Sequence, residues 1–383
     1  MTRIPAFLLS AIVLTVTVAR SAEAQDSGWS RAEARALLKT DTLLTFLRQR
    51  NAGYYAITTP NGIDDRRYVT LGGMPQWVTI RGENKNNPVI LFVHGGPGDA
   101  MSLFGYAVFR AWEKYFTLVQ WDQRGAGLTY ERSGPSVAPT VTIDRIVADG
   151  LELADTLRRE LHKDKIILIG HSFGSMIGVL MVKAKPALFS AYVGTGQVGA
   201  PSATTQAVAY RQLLAAARKR DEGVALRELE DIGPPPFKDA RGWQIAHKWA
   251  NLFEHADAFL NASLMFEMTA PGYTLADLDA KIDGEGFSGE QLVPQINAFD
   301  VSRLRGWFGT PVFVFQGVED YTTPDTLAHA WLNAIHAPRK AFVRIAGGGH
   351  FVMFTEPDAF LDELRRRVAP SIRGQRQGAR PDQ

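Results

Sequence analysis

An apolar run ends abruptly in a glycine-flanked serine within residues 166–178, IILIGHSFGSMIG. The pattern G-x-S-x-G between a strand and a helix is typical of a nucleophile elbow, in which a strained turn exposes the serine oxygen at the helix N-terminus. The flanking Gly170 and Gly174 would avoid the clashes that side chains impose on such a turn. The alternative is a tight turn in which Ser172 has no chemical role. The order of strand, turn and helix favours the first interpretation and makes Ser172 the candidate nucleophile.

Strands and helices alternate on both sides of this turn. Near-continuous apolar runs indicate parallel strands that are buried on both faces. Residues 68–72 and 76–81 predict an antiparallel hairpin that turns at Gly72-Gly73. The pattern predicts an α/β fold with a mostly parallel, doubly wound sheet and the hairpin at one edge. The other predicted strands are Val89–Val93, Phe116–Trp121, Lys165–Ile169, Ala191–Val193, Val312–Phe315 and Phe342–Ile345, and the predicted helices are 143–161, 172–184, 324–336 and 357–368.

One long insertion interrupts the alternation. Residues 200–305 contain helical patterns at 202–220, 241–260 and 275–282 but no convincing strand. Because the insertion falls between two core strands, we expect it to form a helical cap over the carboxyl ends of the sheet. The predicted segments are a signal (1–24), an N-terminal helical extension (25–64, with a helix at 30–51), a core (65–199 and 306–369), the cap (200–305) and a disordered tail (370–383).

The first 24 residues have the pattern of a secretory signal. Arg3 precedes the apolar run IPAFLLSAIVLTVTVA, which is short for a membrane span, and Ala22-Glu23-Ala24 matches an A-x-A cleavage site. We therefore expect cleavage before Gln25 and a periplasmic or secreted protein without stable membrane association afterwards. The alternative is an uncleaved membrane anchor.

The composition narrows the classes of function. The 383 residues include 42 Lys+Arg and 40 Asp+Glu, so no charge imbalance points to a nucleic-acid partner. The chain has no cysteine, which excludes a thiol nucleophile and thiolate metal sites. It has no H-E-x-x-H motif and its eight histidines are scattered, so we expect no metal site. We also expect no cofactor, because catalysis by a serine, a histidine and an acid needs none.

A serine needs a base and an acid to react at neutral pH. His350 follows the last predicted strand in the glycine-rich loop AGGGH, from which an imidazole can reach back over the sheet, and is the candidate base. Asp320 follows the preceding predicted strand and is the candidate acid, with Glu319 and Asp325 as competitors. The chain order Ser172, Asp320, His350 is the order typical of folds with a nucleophile elbow.

The oxyanion of a tetrahedral intermediate needs N–H donors. One is expected from the main chain of Phe173, the residue after the nucleophile. The second is expected from the loop His94-Gly95-Gly96-Pro97-Gly98, where we favour the N–H of Gly96, with Gly95 as the alternative. A glycine-rich turn without chemical role is the competing interpretation. A phosphate loop is disfavoured, because neither G-x-G-x-x-G nor a P-loop lysine is present.

Three motifs together resemble the α/β-hydrolase superfamily: HGGPG at 94–98, DQRGAG at 122–127 and the elbow at Ser172. HGGPG combined with DQRGxG is similar to the prolyl iminopeptidase-like branch of that superfamily, and the resemblance runs from about residue 65 to 368. It implies an α/β-hydrolase fold with a helical cap and a serine hydrolase that releases an N-terminal residue, often proline, from short peptides. It also implies structural roles for Asp122 and Arg124.

The sequence departs from the branch at two places. The iminopeptidases commonly have tryptophan after the nucleophile, where this chain has Phe173. Their cap carries glutamates that bind the substrate's α-amino group, and the resemblance implies this role for Glu254, which follows Phe253, with Glu267 as another candidate.

Three functions compete on these observations. The first is an aminopeptidase of the iminopeptidase type, acting through an acyl-enzyme on a short peptide. The second is an esterase or lactonase with the same triad, acting on another small molecule. The third is a non-catalytic binding protein that has kept the fold, since a fold alone does not establish function. The presence of all three candidate triad residues argues against the third.

Overall fold

The computed structural model describes residues 41–237 and 240–370. The predicted signal, the first part of the predicted helix 30–51 and the predicted tail beyond residue 370 lie outside the described residues. The N-terminal extension contains helix α1, Asp41–Tyr54, which ends beyond the predicted residue 51.

A central eight-stranded sheet organises the fold. The strands, in chain order, are β1 (Ile63–Leu71), β2 (Met74–Gly82), β3 (Val89–Val93), β4 (Thr117–Trp121), β5 (Ile166–His171), β6 (Phe189–Thr195), β7 (Gly306–Trp307), β8 (Val312–Gly317), β9 (Ile335–His336) and β10 (Lys340–Ile345). The order across the sheet is β1-β2-β4-β3-β5-β6-β8-β10, while β7 and β9 form a separate short pair. The β1–β2 hairpin lies at one edge, β2 is antiparallel to β4, and the remaining pairs are parallel. The predicted mostly parallel sheet with an edge hairpin is confirmed.

The apolar strands are buried because both faces of the sheet are covered. In β3, Val89 and Leu91 belong to one hydrophobic cluster and Ile90 and Phe92 to another, as the two-residue period of a strand requires. This double burial explains why these strands read as continuous apolar runs rather than as alternating patterns.

Helices outside the insertion cover the two faces. They are, in chain order, α2 (Gly105–Val108), α3 (Gly127–Ser133), α4 (Ile143–Glu160), α5 (Phe173–Ala184), α11 (Asp325–Ala334), α12 (Val352–Thr355) and α13 (Pro357–Glu363). The first hydrophobic cluster includes residues of α4, α5 and α11, and the second includes residues of α12 and α13. A π-helical turn at Leu364–Val368 follows α13.

The described residues of the insertion between β6 and β7 form helices joined by loops, without a strand. Its helices are α6 (Ser202–Lys219), α7 (Gly223–Ile232), α8 (Ala240–Phe253), α9 (Asp257–Met268) and α10 (Leu275–Ala298). The pattern predicted at 241–260 is two helices, because the chain turns between α8 and α9 with His255 at φ 54°. The helix predicted at 275–282 continues to Ala298 through several glycines. At Gly284 a side chain would meet the Gly127 nitrogen at 3.0 Å, so the glycine permits close packing on the 122–127 loop.

Candidate active site

Ser172 occupies the turn between β5 and α5 in a strained backbone conformation. Its φ of 53° and ψ of −120° lie in a region that non-glycine residues rarely adopt. The flanking His171 and Phe173 are buried, while Ser172 is half-buried. The N-terminal turn of α5 leaves main-chain N–H groups without helical acceptors beside the serine. This is the local geometry that the elbow motif predicts.

The glycines around the elbow permit close approach of neighbouring strands. A side chain at Gly174 would lie 2.0 Å from the Val93 carbonyl oxygen, and one at Gly170 would lie 2.5 Å from the Gly174 carbonyl oxygen. Neither distance is compatible with a Cβ atom. The G-x-S-x-G spacing therefore has a steric origin in the contact between α5 and the end of β3.

The HGGPG loop runs alongside Ser172. A Cβ at Gly95 would lie 3.1 Å from Cβ of Ser172, and Gly96 has a φ of +99°. The loop is also covered by the insertion, because a Cβ at Gly98 would lie 2.8 Å from Cα of Glu285 in α10. The main chain at Gly95 is thus beside the candidate nucleophile, whereas the neighbours of Gly96 are Gly98 and Asp99 of its own loop.

Hydrogen bonds of His94 and Asp122 stabilise the HGGPG loop and the adjacent 122–127 loop. The Gln123 N–H donates to Nε2 of His94 at 3.3 Å, and the Gln123 side chain donates to the His94 carbonyl at 3.1 Å. Burial lowers the pKa of His94 to about 4, so the ring is neutral at pH 7. Asp122 accepts from the Leu128 N–H and the Ser102 hydroxyl, both at 3.0 Å. Burial raises the pKa of Asp122 to about 7.

Arg124 is also buried and makes contacts within the fold. Its guanidinium pairs with Asp149 at 2.8 Å and donates to the carbonyls of Leu71 and Gly72 at the tip of the β1–β2 hairpin. These contacts agree with the structural roles that the family resemblance implies for Asp122 and Arg124.

Asp320 and His350 form a buried acid–base pair. The loop after β8 carries Asp320 and the loop after β10 carries His350, and parallel strands end at the same edge of the sheet. Nδ1 of His350 lies 3.1 Å from Oδ2 and 3.2 Å from Oδ1 of Asp320. The two residues are 2% and 5% exposed. Asp320 therefore holds the imidazole with Nδ1 protonated and leaves Nε2 as the basic nitrogen.

Donors from its own loop and from β8 fix the Asp320 carboxylate. Oδ1 accepts the N–H groups of Thr322 at 2.9 Å and Thr323 at 2.6 Å. Oδ2 accepts the Thr323 hydroxyl at 2.8 Å and the side-chain amide of Gln316 at 2.6 Å. Sequence reasoning did not single out Gln316, although a glutamine at the end of an otherwise apolar strand was an available signal.

The Thr195–Gly196 segment contacts the main chain of Ser172 on one side and the His350 imidazole on the other. The Ser172 N–H donates to the carbonyl of Thr195 at 3.0 Å. The next residue is Gly196, where a Cβ would lie 2.8 Å from Cε1 of His350. The His171 ring, adjacent to the serine, lies 5.0 Å from the His350 ring between centroids. The three candidate triad residues, far apart in sequence, are thus gathered at the carboxyl edge of the sheet.

The pKa values of the two neighbouring histidines shift in opposite directions. Burial lowers the pKa of His171 to about 4, so its ring is neutral at pH 7, and its Nε2–H donates to the His350 carbonyl at 3.0 Å. Burial also acts to lower the pKa of His350, but the charge and hydrogen bond of Asp320, assisted by the charge of Glu254, raise it above its ordinary value.

Glu254 lies at the triad loops. It follows the last residue of α8 and is 2% exposed. Its Oε2 accepts the His350 N–H at 2.5 Å and its Oε1 accepts the Tyr321 N–H at 2.8 Å. Burial, followed by repulsion from Asp320, raises the pKa of the Glu254 carboxyl.

Glu267, the other candidate amine acceptor, belongs to a buried ion cluster. Its Oε1 lies 3.2 Å from Nζ of Lys281, whose ammonium also contacts Asp99 at 2.8 Å. The side chains of Glu267 and Lys281 are each 1% exposed. The ammonium of Lys281 thus neutralises Glu267 inside the cap.

The competing acids Glu319 and Asp325 are each paired with an arginine. Glu319 is 43% exposed and pairs with Arg220 at 3.2 Å, and Asp325 pairs with Arg344 at 2.6 Å. Neither forms a hydrogen bond with His350 in the structure. Of the three candidate acids, Asp320 is therefore the one that contacts the His350 imidazole.

Two kinds of feature are absent from residues 41–237 and 240–370. In those ranges no group of three or more His, Cys, Asp or Glu side chains has the arrangement of a metal site. No helix there combines the length and the apolar character that a membrane crossing requires.

The comparisons with known proteins agree with this architecture. The probable aminopeptidase YbaC of Bacillus subtilis (strain 168) is 26% identical over 304 residues, covering 78% of this chain and 95% of that protein. A proline iminopeptidase-related protein from Thermus thermophilus has a TM-score of 0.57 at 18% identity, covering 81% of this chain and 99% of that one. The proline iminopeptidase of Mycobacterium smegmatis has a TM-score of 0.56 at 18% identity, covering 81% and 100%.

The structural similarities establish the fold, and the Bacillus protein supports the predicted resemblance to the iminopeptidase-like branch. The family model described as the alpha/beta hydrolase fold matches residues 88–357, which span all three motifs and both loops of the acid–base pair. The chain therefore belongs to the α/β-hydrolase family.

Proposed function

We propose that this protein is an exported serine hydrolase that acts through an acyl-enzyme and releases N-terminal residues from short peptides. The observation that carries the proposal is the Asp320–His350 pair, with Nδ1 at 3.1 Å from the carboxylate, at the same edge of the sheet as a serine at φ 53°. A strained serine at a helix N-terminus next to a buried, carboxylate-oriented imidazole is the arrangement that activates a hydroxyl.

The reaction follows from the role of each group. Oγ of Ser172 attacks the scissile carbonyl while Nε2 of His350 takes its proton, and the N–H groups of Gly96 and Phe173 stabilise the oxyanion. His350 then protonates the leaving amine, the C–N bond breaks and the Ser172 ester forms. A water then attacks the ester carbonyl while His350 takes its proton, the bond to Oγ of Ser172 breaks, and His350 gives the proton to Oγ as the acid is released. Asp320 stays ionised and stabilises the imidazolium throughout.

Two observations support the peptide substrate. The Bacillus relative is named a probable aminopeptidase. The predicted amine acceptor Glu254 contacts the main chain of His350, so its carboxylate is close to the reacting groups. Each of its oxygens accepts one main-chain N–H and keeps a lone pair for an ammonium group.

A matched pair of substrates tests the specificity. Proline-naphthylamide and its N-acetylated analogue differ only in the amine that an acid in the cap would bind. An aminopeptidase loses nearly all kcat/KM on the acetylated substrate, because a buried carboxylate then lacks its ionic partner. Equal values on both substrates contradict the aminopeptidase assignment. Ser172→Ala, expected to fold normally, is the control for turnover by the triad.

A carboxylic-ester hydrolase or lactonase is the second candidate. It is favoured because the carboxylates of both cap glutamates already have partners within the protein, which an ester substrate without an amine would leave in place. Glu254 accepts two main-chain N–H groups, and Glu267 pairs with Lys281. An ester hydrolase of this kind turns over p-nitrophenyl esters with higher kcat/KM than aminoacyl amides and is indifferent to acetylation.

Export has a separate test. The N-terminal sequence of the mature protein, isolated from cells that express the full chain, is expected to begin at Gln25. A mature protein that retains residues 1–24 and fractionates with membranes supports the anchor instead.

A further inference from the structure

Glu254 joins the loop that carries Asp320 to the loop that carries His350, which are also linked by the Glu319 N–H donating to the Gly348 carbonyl at 3.1 Å. One carboxylate oxygen accepts the N–H of His350 at 2.5 Å, and the other accepts the N–H of Tyr321 at 2.8 Å. His350 is the candidate base, and Tyr321 follows the candidate acid Asp320. A single side chain from the cap therefore holds the main chain of both loops.

The local sequence is adapted to this contact. A Cβ at Gly349 would lie 2.4 Å from Oε2 of Glu254, so only glycine lets the carboxylate reach the next N–H. The main chain of His350 is also held from the opposite side, because Nε2 of His171 donates to its carbonyl at 3.0 Å. The peptide groups on both sides of the catalytic imidazole are thus fixed by buried side chains.

We infer that Glu254 is a positioning residue for the Asp320–His350 pair, and that it serves this role whether or not the substrate carries an amine. The inference rests on the proposed triad but not on the proposed peptide substrate. The cap, through Glu254, becomes part of the machinery that orients the base rather than a lid that only encloses substrate.

Electrostatics gives this role a separate signature. The titratable groups around the His350 imidazole are Asp320 on its own side of the sheet edge, Glu254 and His247 from the cap, and His171 below. The charge of Glu254 contributes to the raised pKa of His350. Burial raises the pKa of Glu254 itself to about 8, so its carboxyl is only partly ionised near neutral pH. Removing the ionised fraction lowers the pKa of the imidazole, so the acid limb of the kcat/KM profile moves to lower pH by less than a fully ionised neighbour would cause.

Glu254→Gln tests the inference on two substrates. Its amide oxygen can accept one of the two N–H groups, whereas its NH₂ group would face the other donor. We expect kcat to fall about 10–100-fold on both p-nitrophenyl acetate, which has no amine, and proline-naphthylamide, because misplacement of a base by about 1 Å has effects of this size. KM for the ester is expected to stay within about threefold of its original value, and the acid limb to move down.

Two further variants complete the experiment. Glu254→Asp keeps the charge with a shorter side chain, so kcat on the ester falls while the acid limb stays near its original position. Glu319→Gln removes an exposed carboxylate from the Asp320 loop and is the matched control, with turnover and pH profile unchanged. If Glu254→Gln does not fold, Glu254→Asp alone decides through the ester kcat.

The outcomes separate this inference from the proposed function. Ester turnover at the original rate in the folded Glu254 variants, with loss confined to the aminoacyl amide, overturns the positioning role and identifies an amine acceptor. An unmoved acid limb in a slowed Glu254→Gln overturns the role of its charge at His350. Undiminished activity of Ser172→Ala overturns the proposed triad itself.

Discussion

Replacing Asp320 with asparagine tests whether the hydrogen bonds around its carboxylate fix the tautomer of His350. Oδ1 of Asp320 accepts two main-chain N–H groups, from Thr322 and Thr323, which cannot reverse their polarity. The amide oxygen of Asp320→Asn must therefore occupy the Oδ1 position, and its NH₂ group must replace Oδ2. In that position it meets three donors: the Gln316 amide at 2.6 Å, the Thr323 hydroxyl at 2.8 Å and Nδ1 of His350 at 3.1 Å.

Gln316 cannot relieve the conflict by rotating its amide. Its Oε1 accepts the Gln197 N–H at 3.0 Å, and its Nε2 also donates to the Thr323 carbonyl at 2.8 Å. A flip would break both bonds. The imidazole of His350 must then present an unprotonated Nδ1 to the new NH₂ group, which places the proton on Nε2 and removes the base.

We therefore expect kcat to fall by the amount that is typical when the histidine of a triad is held in the wrong tautomer. The corresponding substitution in a serine protease triad lowers kcat about 10⁴-fold, or about 5 kcal/mol of transition-state stabilisation. The assay is kcat on p-nitrophenyl acetate for Asp320→Asn, Asp325→Asn and Glu319→Gln, with circular dichroism as the check on folding. A folded Asp320→Asn that keeps more than a tenth of the original kcat refutes the assignment, as does a larger loss in either control.

Three further predictions concern the framework around the site. Lys281→Met removes the ammonium from the buried Glu267 and is expected to lower the free energy of unfolding by about 3–5 kcal/mol in urea, with partial recovery when Glu267→Gln is added; an unchanged midpoint contradicts the buried pair. Gly174→Ala places a Cβ 2.0 Å from the Val93 carbonyl, so thermal unfolding should occur at markedly lower temperature than in the parent. Burial raises the pKa of Asp122 to about 7 in the folded state, well above the unfolded value, so its stabilising contribution is present at low pH and is lost as pH rises through about 7. The stability of Asp122→Asn relative to the parent should therefore increase between pH 5 and pH 8, and a constant difference contradicts the raised pKa.

The sequence predicts the sheet and the elbow because both depend on local patterns. The continuous apolar runs of β3 and β5 result from burial on both faces, and the glycines at 170 and 174 result from contacts with neighbouring main chain. The loop positions of Asp320 and His350 follow from the parallel sheet, in which consecutive strands end at one edge.

The insertion is less predictable because tertiary contacts override helix propensity there. Helix α10 continues to Ala298 even though Gly284 and Pro294 are unfavourable helix residues. Its packing on the 122–127 loop needs the absence of a side chain at Gly284, and this requirement is visible only in three dimensions. Helix α7 was also not predicted.

Contacts between distant segments account for what sequence reasoning missed at the site. Gln316 acts through Asp320, four residues away, and its role depends on the loop conformation that brings the two together. Glu254 contacts the main-chain N–H groups of His350 and Tyr321, which follow it in the chain by 96 and 67 positions. Contacts with the main chain leave no pattern in the sequence. Lys281 likewise meets Glu267 only because α9 and α10 pack together.

The most direct test of the account is the site of covalent labelling. The purified protein is treated with a fluorophosphonate at pH 7.5, and the adduct is located by intact mass and peptide mapping. We expect one adduct per chain, on Ser172, that forms much more slowly in Asp320→Asn and is absent from Ser172→Ala. No adduct on the active protein, or an adduct on another residue with Ser172→Ala still labelled, contradicts the claim that this serine is the nucleophile.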